Sequence, residues 1–218
     1  LGSSSPPTGD GRFAGEGDAI PMARVGATTG HNLIVATGTG SGKSFAFGIP
    51  IVSEALRARE AGVEGIVAVI VYPMNALANS QYDDFARRLH GTGLRIALYT
   101  GDTAFSPNEA LDRYRRATGR DEPFDSEVLS REEIQQHPPD ILMTNYVMLE
   151  LLLTRFEDRI LFPPEQAGVL RFLVLDEVHT YTGKRGADVA ALIRRLKQHT
   201  HTVGRLRCIA TSATVESS

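Results

Sequence analysis

The sequence predicts an α/β fold, a mostly parallel sheet with helices on both faces, and three observations carry that expectation. From residue 31 onward, six short apolar runs alternate with amphipathic stretches long enough for helices. This is the order produced by βα units winding around one sheet. The runs, at 32–36, 66–72, 95–99, 140–144, 172–176 and 207–210, are too short for buried helices, and several are rich in Val and Ile, as strands covered on both faces are. The first run leads into the glycine-rich segment Ala36-Thr37-Gly38-Thr39-Gly40-Ser41-Gly42-Lys43-Ser44, and a helix-forming stretch follows at once.

A chain of 218 residues holds one ample domain. With 42% hydrophobic and 22% charged residues, its composition is that of a soluble globular protein and excludes disordered, collagenous and coiled-coil classes. The net charge of −3 excludes a protein that coats nucleic acid by overall charge, while leaving room for local patches. A single cysteine, Cys208, cannot close an internal disulfide, so a reducing, cytoplasmic setting is expected. No apolar run reaches the ~18 residues of a membrane span, and no signal peptide is visible at the N-terminus.

Residues 1–18 are rich in Gly, Ser and Pro and read as a flexible linker or cloning remnant, leaving 19–218 as the domain. Helices are expected at 43–61, 76–90, 109–118, 147–153 and 187–199. Ser130-Arg131-Glu132-Glu133 has the form of a capping box, which starts a further short helix. The stretch at about 102–139, with Pro107, Pro123, Pro138 and Pro139 among dense charges, is expected to be an irregular insertion. It reads either as a solvated excursion or as a surface touching nucleic acid or another domain.

The glycines of the first loop let successive N–H groups curl around a phosphate, and the helix behind adds its positive end. Lys43 supplies a cation for the β- and γ-phosphates, and the Ser44 hydroxyl suits Mg²⁺. Thr37 stands where the pattern G-x-x-x-x-G-K-[ST] has its first glycine, so that match fails by one residue. The second signal is Leu173-Val174-Leu175-Asp176-Glu177-Val178-His179, an apolar strand ending in two carboxylates. Carboxyl ends of strands line the crevice where such sheets bind ligands. There Asp176 would hold the metal and Glu177 would act as general base on a water. The long interval between Lys43 and Asp176 leaves room for three intervening strands, and Ala210-Thr211-Ser212-Ala213-Thr214 follows the next strand.

Taken together, these segments resemble the first RecA-like lobe, a P-loop NTPase domain, of superfamily 2 helicases of the DEAD/DEAH type. Motif I is similar to residues 37–44, motif II to Asp176–His179 and motif III to Ser212–Thr214. Tyr72-Pro73-Met74-Asn75-Ala76-Leu77-Ala78-Asn79-Ser80-Gln81 is similar to motif Ia, Thr100-Gly101-Asp102 to motif Ib, and Thr144-Asn145-Tyr146 to a further backbone-contacting motif. The phrases Tyr-Pro-Met-Asn-Ala-Leu, Thr-Asn-Tyr-Val-Met-Leu-Glu and Asp-Glu-Val-His-Thr-Tyr look most like the MrfA/YprA-type, Lhr-like and DISARM-type DNA helicases.

The resemblance implies ATP and Mg²⁺ as cofactors, with Thr37 to Ser44 around the phosphates and Ser44 and Asp176 on the metal. It implies coupling through His179, Ser212 and Thr214, and nucleic-acid contacts from Pro73, Asn75, Gln81, Thr100, Gly101 and Thr144. DNA with a single-stranded portion is the implied substrate, and movement along it from 3′ to 5′. A second RecA-like lobe supplying arginines is implied as well, together with possible partner subunits, so the chain is expected to be one lobe of a larger motor. No Gln precedes Gly42, so the adenine contact many relatives use has no counterpart here. The loop and acidic box alone would equally serve an ATPase motor acting on a non-nucleic-acid substrate; motifs Ia, Ib and III favour nucleic acid.

Overall fold

The computed structural model describes residues 32–36, 43–73, 75–155 and 159–212. Thr37 to Gly42 of the glycine-rich loop, Thr214 and the expected linker at 1–18 lie outside the described residues. The strands are β1 (Leu33–Ala36), β2 (Ala68–Tyr72), β3 (Ile96–Tyr99), β4 (Glu127–Val128), β5 (Ile141–Asn145), β6 (Phe172–Leu175) and β7 (Arg207–Ser212). The helices are α1 (Lys43–Glu60), α2 (Asn75–Leu89), α3 (Pro107–Thr118), α4 (Arg131–Gln136), α5 (Tyr146–Thr154) and α6 (Gly183–His199). The seven strands form one sheet in the order β1-β7-β6-β2-β5-β3-β4, and every pairing is parallel.

Period-two alternation explains why the strands read as unbroken apolar runs. Ala68, Ile70 and Tyr72 of β2 join one core, with Phe47, Ile51 and Ala55 of α1 and Phe85 and Leu89 of α2. Val69 and Val71 point the other way, into a second core with Leu149 and Leu152 of α5 and Leu192 and Leu196 of α6. Each face of the sheet is thus covered, as parallel strands require. The α1–α2 contact is close: Phe47 and Phe85 stack with centroids 6.0 Å apart, and a Cβ on Gly48 would stand only 3.3 Å from the Phe85 ring.

The segment expected to be irregular is ordered and built into the sheet. Ser106 caps α3 by accepting from the Glu109 amide, Pro107 sits in its first turn, and Gly119 ends it at φ 70°. Val128 of β4 is buried, and β4 extends the sheet beside β3. The capping box at Ser130 forms as expected and starts α4, whose Ile134 is buried. With two residues, β4 is too short to show a hydrophobic period, which is why the sequence reading passes over it.

Candidate functional site

Because all strands run the same way, their carboxyl ends form one edge, and register aligns the signature residues along it. Ala36 pairs with Ser212, Leu175 with Ala210 and Val71, Tyr72 with Asn145, and Tyr99 with Thr144. The edge therefore runs from Ala36 through Ser212, Asp176 and Tyr72 to Asn145 and Thr100.

At the Ala36 end of the edge, Lys43 opens α1, so the helix N-terminus follows the glycine-rich segment directly in sequence. Asp176 is buried; its amide donates to the Val71 carbonyl at 2.9 Å, and its Oδ1 accepts from the Thr211 hydroxyl. The same Thr211 oxygen accepts from the Glu177 amide at 3.3 Å. Thr211, fully buried, thus ties together the two acidic residues, a role the sequence reading did not assign to it. A polar residue in phase with a buried strand face was the available signal.

Glu177 adopts φ 48°, ψ 49°, a left-handed conformation costing a non-glycine residue ~1–2 kcal/mol, of the kind that gathers at functional sites. Its Oε2 lies 3.3 Å from His179 Nδ1, which also lies 3.2 Å from Ser212 Oγ. A proton on Nδ1 would let both oxygens accept from that nitrogen. His179, Glu177 and Ser212 are thus brought together, as the coupling assignment requires of the first and last. Burial and the Asp176 charge push the Tyr72 and Tyr181 phenols well above their ordinary pKa. Neither hydroxyl has a hydrogen-bond partner among the described residues.

The donor set suits Mg²⁺, which takes hard oxygens and few protein ligands. Asp176 contributes a carboxylate and Ser44 a hydroxyl. That hydroxyl donates to Gln81 Oε1 of α2 at 2.7 Å. Gln81 is thus turned toward the first turn of α1, whereas the resemblance implies a nucleic-acid contact for it. It lies on the stripe of α2 that includes the buried Ala78 and Phe85, three and four residues away, which turns it toward α1.

Where the resemblance implies nucleic-acid contacts, three segments are bound to one another. Asn145 Nδ2 donates to Asn75 Oδ1 at 2.8 Å, and Asn75 Nδ2 donates to Asp102 Oδ2 at 3.3 Å. Asn145 also caps α5, accepting from the Met148 amide at 2.8 Å. Arg131 clasps the motif Ib turn, donating to the carbonyls of Thr100 (3.0 Å), Gly101 (3.1 Å) and Thr103 (2.9 Å). Gly101 is exposed, Pro73 and Asn75 are half-buried, and Thr100 is buried. Thr144 departs from expectation: it is fully buried and spends its hydroxyl on the Tyr99 carbonyl at 2.7 Å. Its neighbour Asn145 is the residue that reaches the loops.

A sequence model of the DEAD/DEAH box helicase family matches residues 18–218. The chain belongs to that family. This helicase domain is 29% identical to Druantia protein DruE of Escherichia coli, covering 85% of this chain and 15% of that protein. It is 30% identical to ATP-dependent helicase Lhr-Core of Methanothermobacter thermautotrophicus, covering 85% of this chain and 20% of the other. Among solved structures, helicase MrfA bound to DNA superposes with a TM-score of 0.67 at 26% identity, over 91% of this chain and 24% of MrfA. MrfA has also been solved with DNA and AMPPNP (TM-score 0.66, 25% identity, the same coverage). The helicase domain thus spans about a quarter or less of these relatives. The fold matches the RecA-like α/β lobe expected from the sequence, and no described helix is long and apolar enough to cross a membrane.

Proposed function

We propose that this domain is the nucleotide-binding lobe of an ATP-dependent DNA helicase or translocase. The observation that carries the reading is the shared edge: Asp176 and Glu177, joined by Thr211, stand two strands from loops tied through Asn75, Asn145 and Asp102. The glycine-rich loop and Lys43 cradle the phosphates of ATP, Ser44 and Asp176 hold Mg²⁺, and Glu177 takes a proton from the attacking water. The metal, when bound, neutralises charge developing on the γ-phosphate.

His179, Ser212 and Thr214 pass the nucleotide state toward the edge where Pro73, Asn75, Thr100 and Gly101 meet a DNA strand. Contacts of that kind reach phosphates and sugars through amides and small polar groups, consistent with a net charge of −3. DNA as substrate is supported by the MrfA complexes with DNA. The short coverage of the relatives supports a longer parent protein, in which a second RecA-like lobe supplies arginines that complete the ATP site. DNA repair and phage defence are the settings the resemblance offers.

The test is ATP turnover by the parent protein with and without single-stranded DNA. Lys43→Ala should abolish nucleotide binding, and Glu177→Gln should bind ATP while hydrolysing it at least ~100-fold more slowly. Undiminished turnover by Glu177→Gln would remove that residue from its role, and an ATPase indifferent to DNA would refute the nucleic-acid reading. The 218-residue chain alone should bind nucleotide weakly and turn over slowly.

A further inference from the structure

We propose that Gln81 is a positioning residue for the Mg²⁺ of the nucleotide, acting through the Ser44 hydroxyl. The proposal rests on the reading that Ser44 is a ligand of that ion. A serine hydroxyl has one proton and two lone pairs, and as a ligand it must turn a lone pair toward the cation and its proton elsewhere. In this structure the proton already has an acceptor. Ser44 Oγ donates to Gln81 Oε1 at 2.7 Å, part-buried and across 37 residues of sequence, at the usual length of an O–H···O bond. The lone pairs of Ser44 are thereby left available to a cation.

Two features suit Gln81 to this task. It is a neutral acceptor, so it fixes the hydroxyl without adding a negative charge to a site that already holds Asp176 and Glu177. It also sits on α2, a helix held against α1 by the stacked Phe47 and Phe85 rings and by the close approach of Phe85 to Gly48. The packing that sets the distance between the two helices also sets the distance between Gln81 and Ser44. An amide turned the other way would donate its N–H into a Ser44 lone pair and compete with the ion, so the direction of the effect is diagnostic.

The experiment measures binding of a fluorescent ATP analogue to the 218-residue chain by anisotropy, in saturating Mg²⁺ and in EDTA, together with thermal melting. The readout is the ratio of the dissociation constant in EDTA to that in Mg²⁺. Gln81→Met keeps the length of the side chain and removes the acceptor. It should lower the ratio roughly tenfold, the scale at which outer-shell partners tune metal affinity, with affinity in EDTA unchanged. Gln81→Glu retains an acceptor and should retain most of the ratio, and Gln81→Leu serves as a second non-accepting variant should Gln81→Met melt below the assay temperature.

An unchanged ratio in Gln81→Met and Gln81→Leu, alongside a lower melting temperature, would overturn the proposal and leave the bond a plain tie between helices. A higher ratio would overturn it in favour of the reversed amide. Ser44→Ala separates this failure from failure of the underlying reading. If Ser44→Ala lowers the ratio and the Gln81 variants do not, the proposal alone falls. If Ser44→Ala leaves it unchanged, or the unaltered chain shows no Mg²⁺ dependence, the assignment of Ser44 to the metal falls and takes the proposal with it.

Discussion

Replacing Thr211 with valine should disturb the acidic pair without changing the shape of the strand. Thr211 is fully buried in β7, and its hydroxyl makes two bonds, donating to Asp176 Oδ1 and accepting from the Glu177 amide at 3.3 Å. Hydrogen bonds to charged groups contribute ~1.5–3 kcal/mol each, and the longer amide bond less. Against this, the valine methyl gains ~0.8 kcal/mol on burial. The net expectation is a loss of ~1–3 kcal/mol, or roughly 2–12 °C in Tm for a domain of this size. The assay is thermal unfolding of the single variants Thr211→Val and Asp176→Ala and of the double variant. A coupling energy of ~1–3 kcal/mol is expected, whereas additivity to within ~0.5 kcal/mol would refute the bond. Nucleotide binding in Mg²⁺ should weaken in Thr211→Val more than binding in EDTA, because the carboxylate has lost the donor that orients it. Equal weakening in both would show the hydroxyl to be structural only.

Tyr72→Phe should leave the chain as stable as before or more stable by ~1 kcal/mol, because the phenol is buried with no partner among the described residues and an unsatisfied hydroxyl costs that much or more. A fall in Tm would show that the hydroxyl has a partner. Asp140 is buried where β5 begins, accepting from Arg59 at 2.9 Å and from the Arg95 amide at 2.7 Å. Asp140→Ala should cost ~2–4 kcal/mol in urea unfolding, mostly from the stranded amide, since the half-exposed Arg59 can rehydrate. A loss below ~1 kcal/mol would indicate that water reaches the Arg95 amide.

The strands were legible because parallel strands buried on both faces leave continuous apolar runs: the expected run at 66–72 contains β2, and that at 172–176 contains β6. The placing of Asp176 and Glu177 together at the end of β6 was legible because motif spacing is itself a local signal. Thr211, Arg131 and Gln81 were misread or missed for a common reason. Each acts on a group far away in sequence: Thr211 on Asp176 across 35 residues, Arg131 on Thr100 across 31 and Gln81 on Ser44 across 37. Periodicity shows which face a residue shares with its own helix or strand, whereas the partner across the interface is set by tertiary packing. Thr144 departs from expectation by the opposite route. Its motif placed it correctly at the edge, but alternation along β5 turned its hydroxyl onto the Tyr99 carbonyl and left the reach outward to Asn145.

The sheet order also explains how the acidic pair and the tied loops share one edge. Only β2 separates β6, which carries Asp176, from β5, which ends at Asn145. With strands ~4.8 Å apart, the Asp176 carboxylate and Asn145 at the end of β5 are separated by about 10 Å. The chain leaving β2 spans that gap with its own residues. The Tyr72 phenol feels the Asp176 charge from one side, and three residues later Asn75 bonds Asn145 and Asp102 on the other. The helix that Asn75 opens then carries Gln81, six residues or ~9 Å along its axis, back to Ser44. Tyr72, Asn75 and Gln81 therefore reach the acidic strand, the tied loops and the first turn of α1 in succession. A rigid shift of α2, which packs on α1 through Phe85 against Phe47 and Gly48, would alter the Gln81 bond and the Asn75 bonds together.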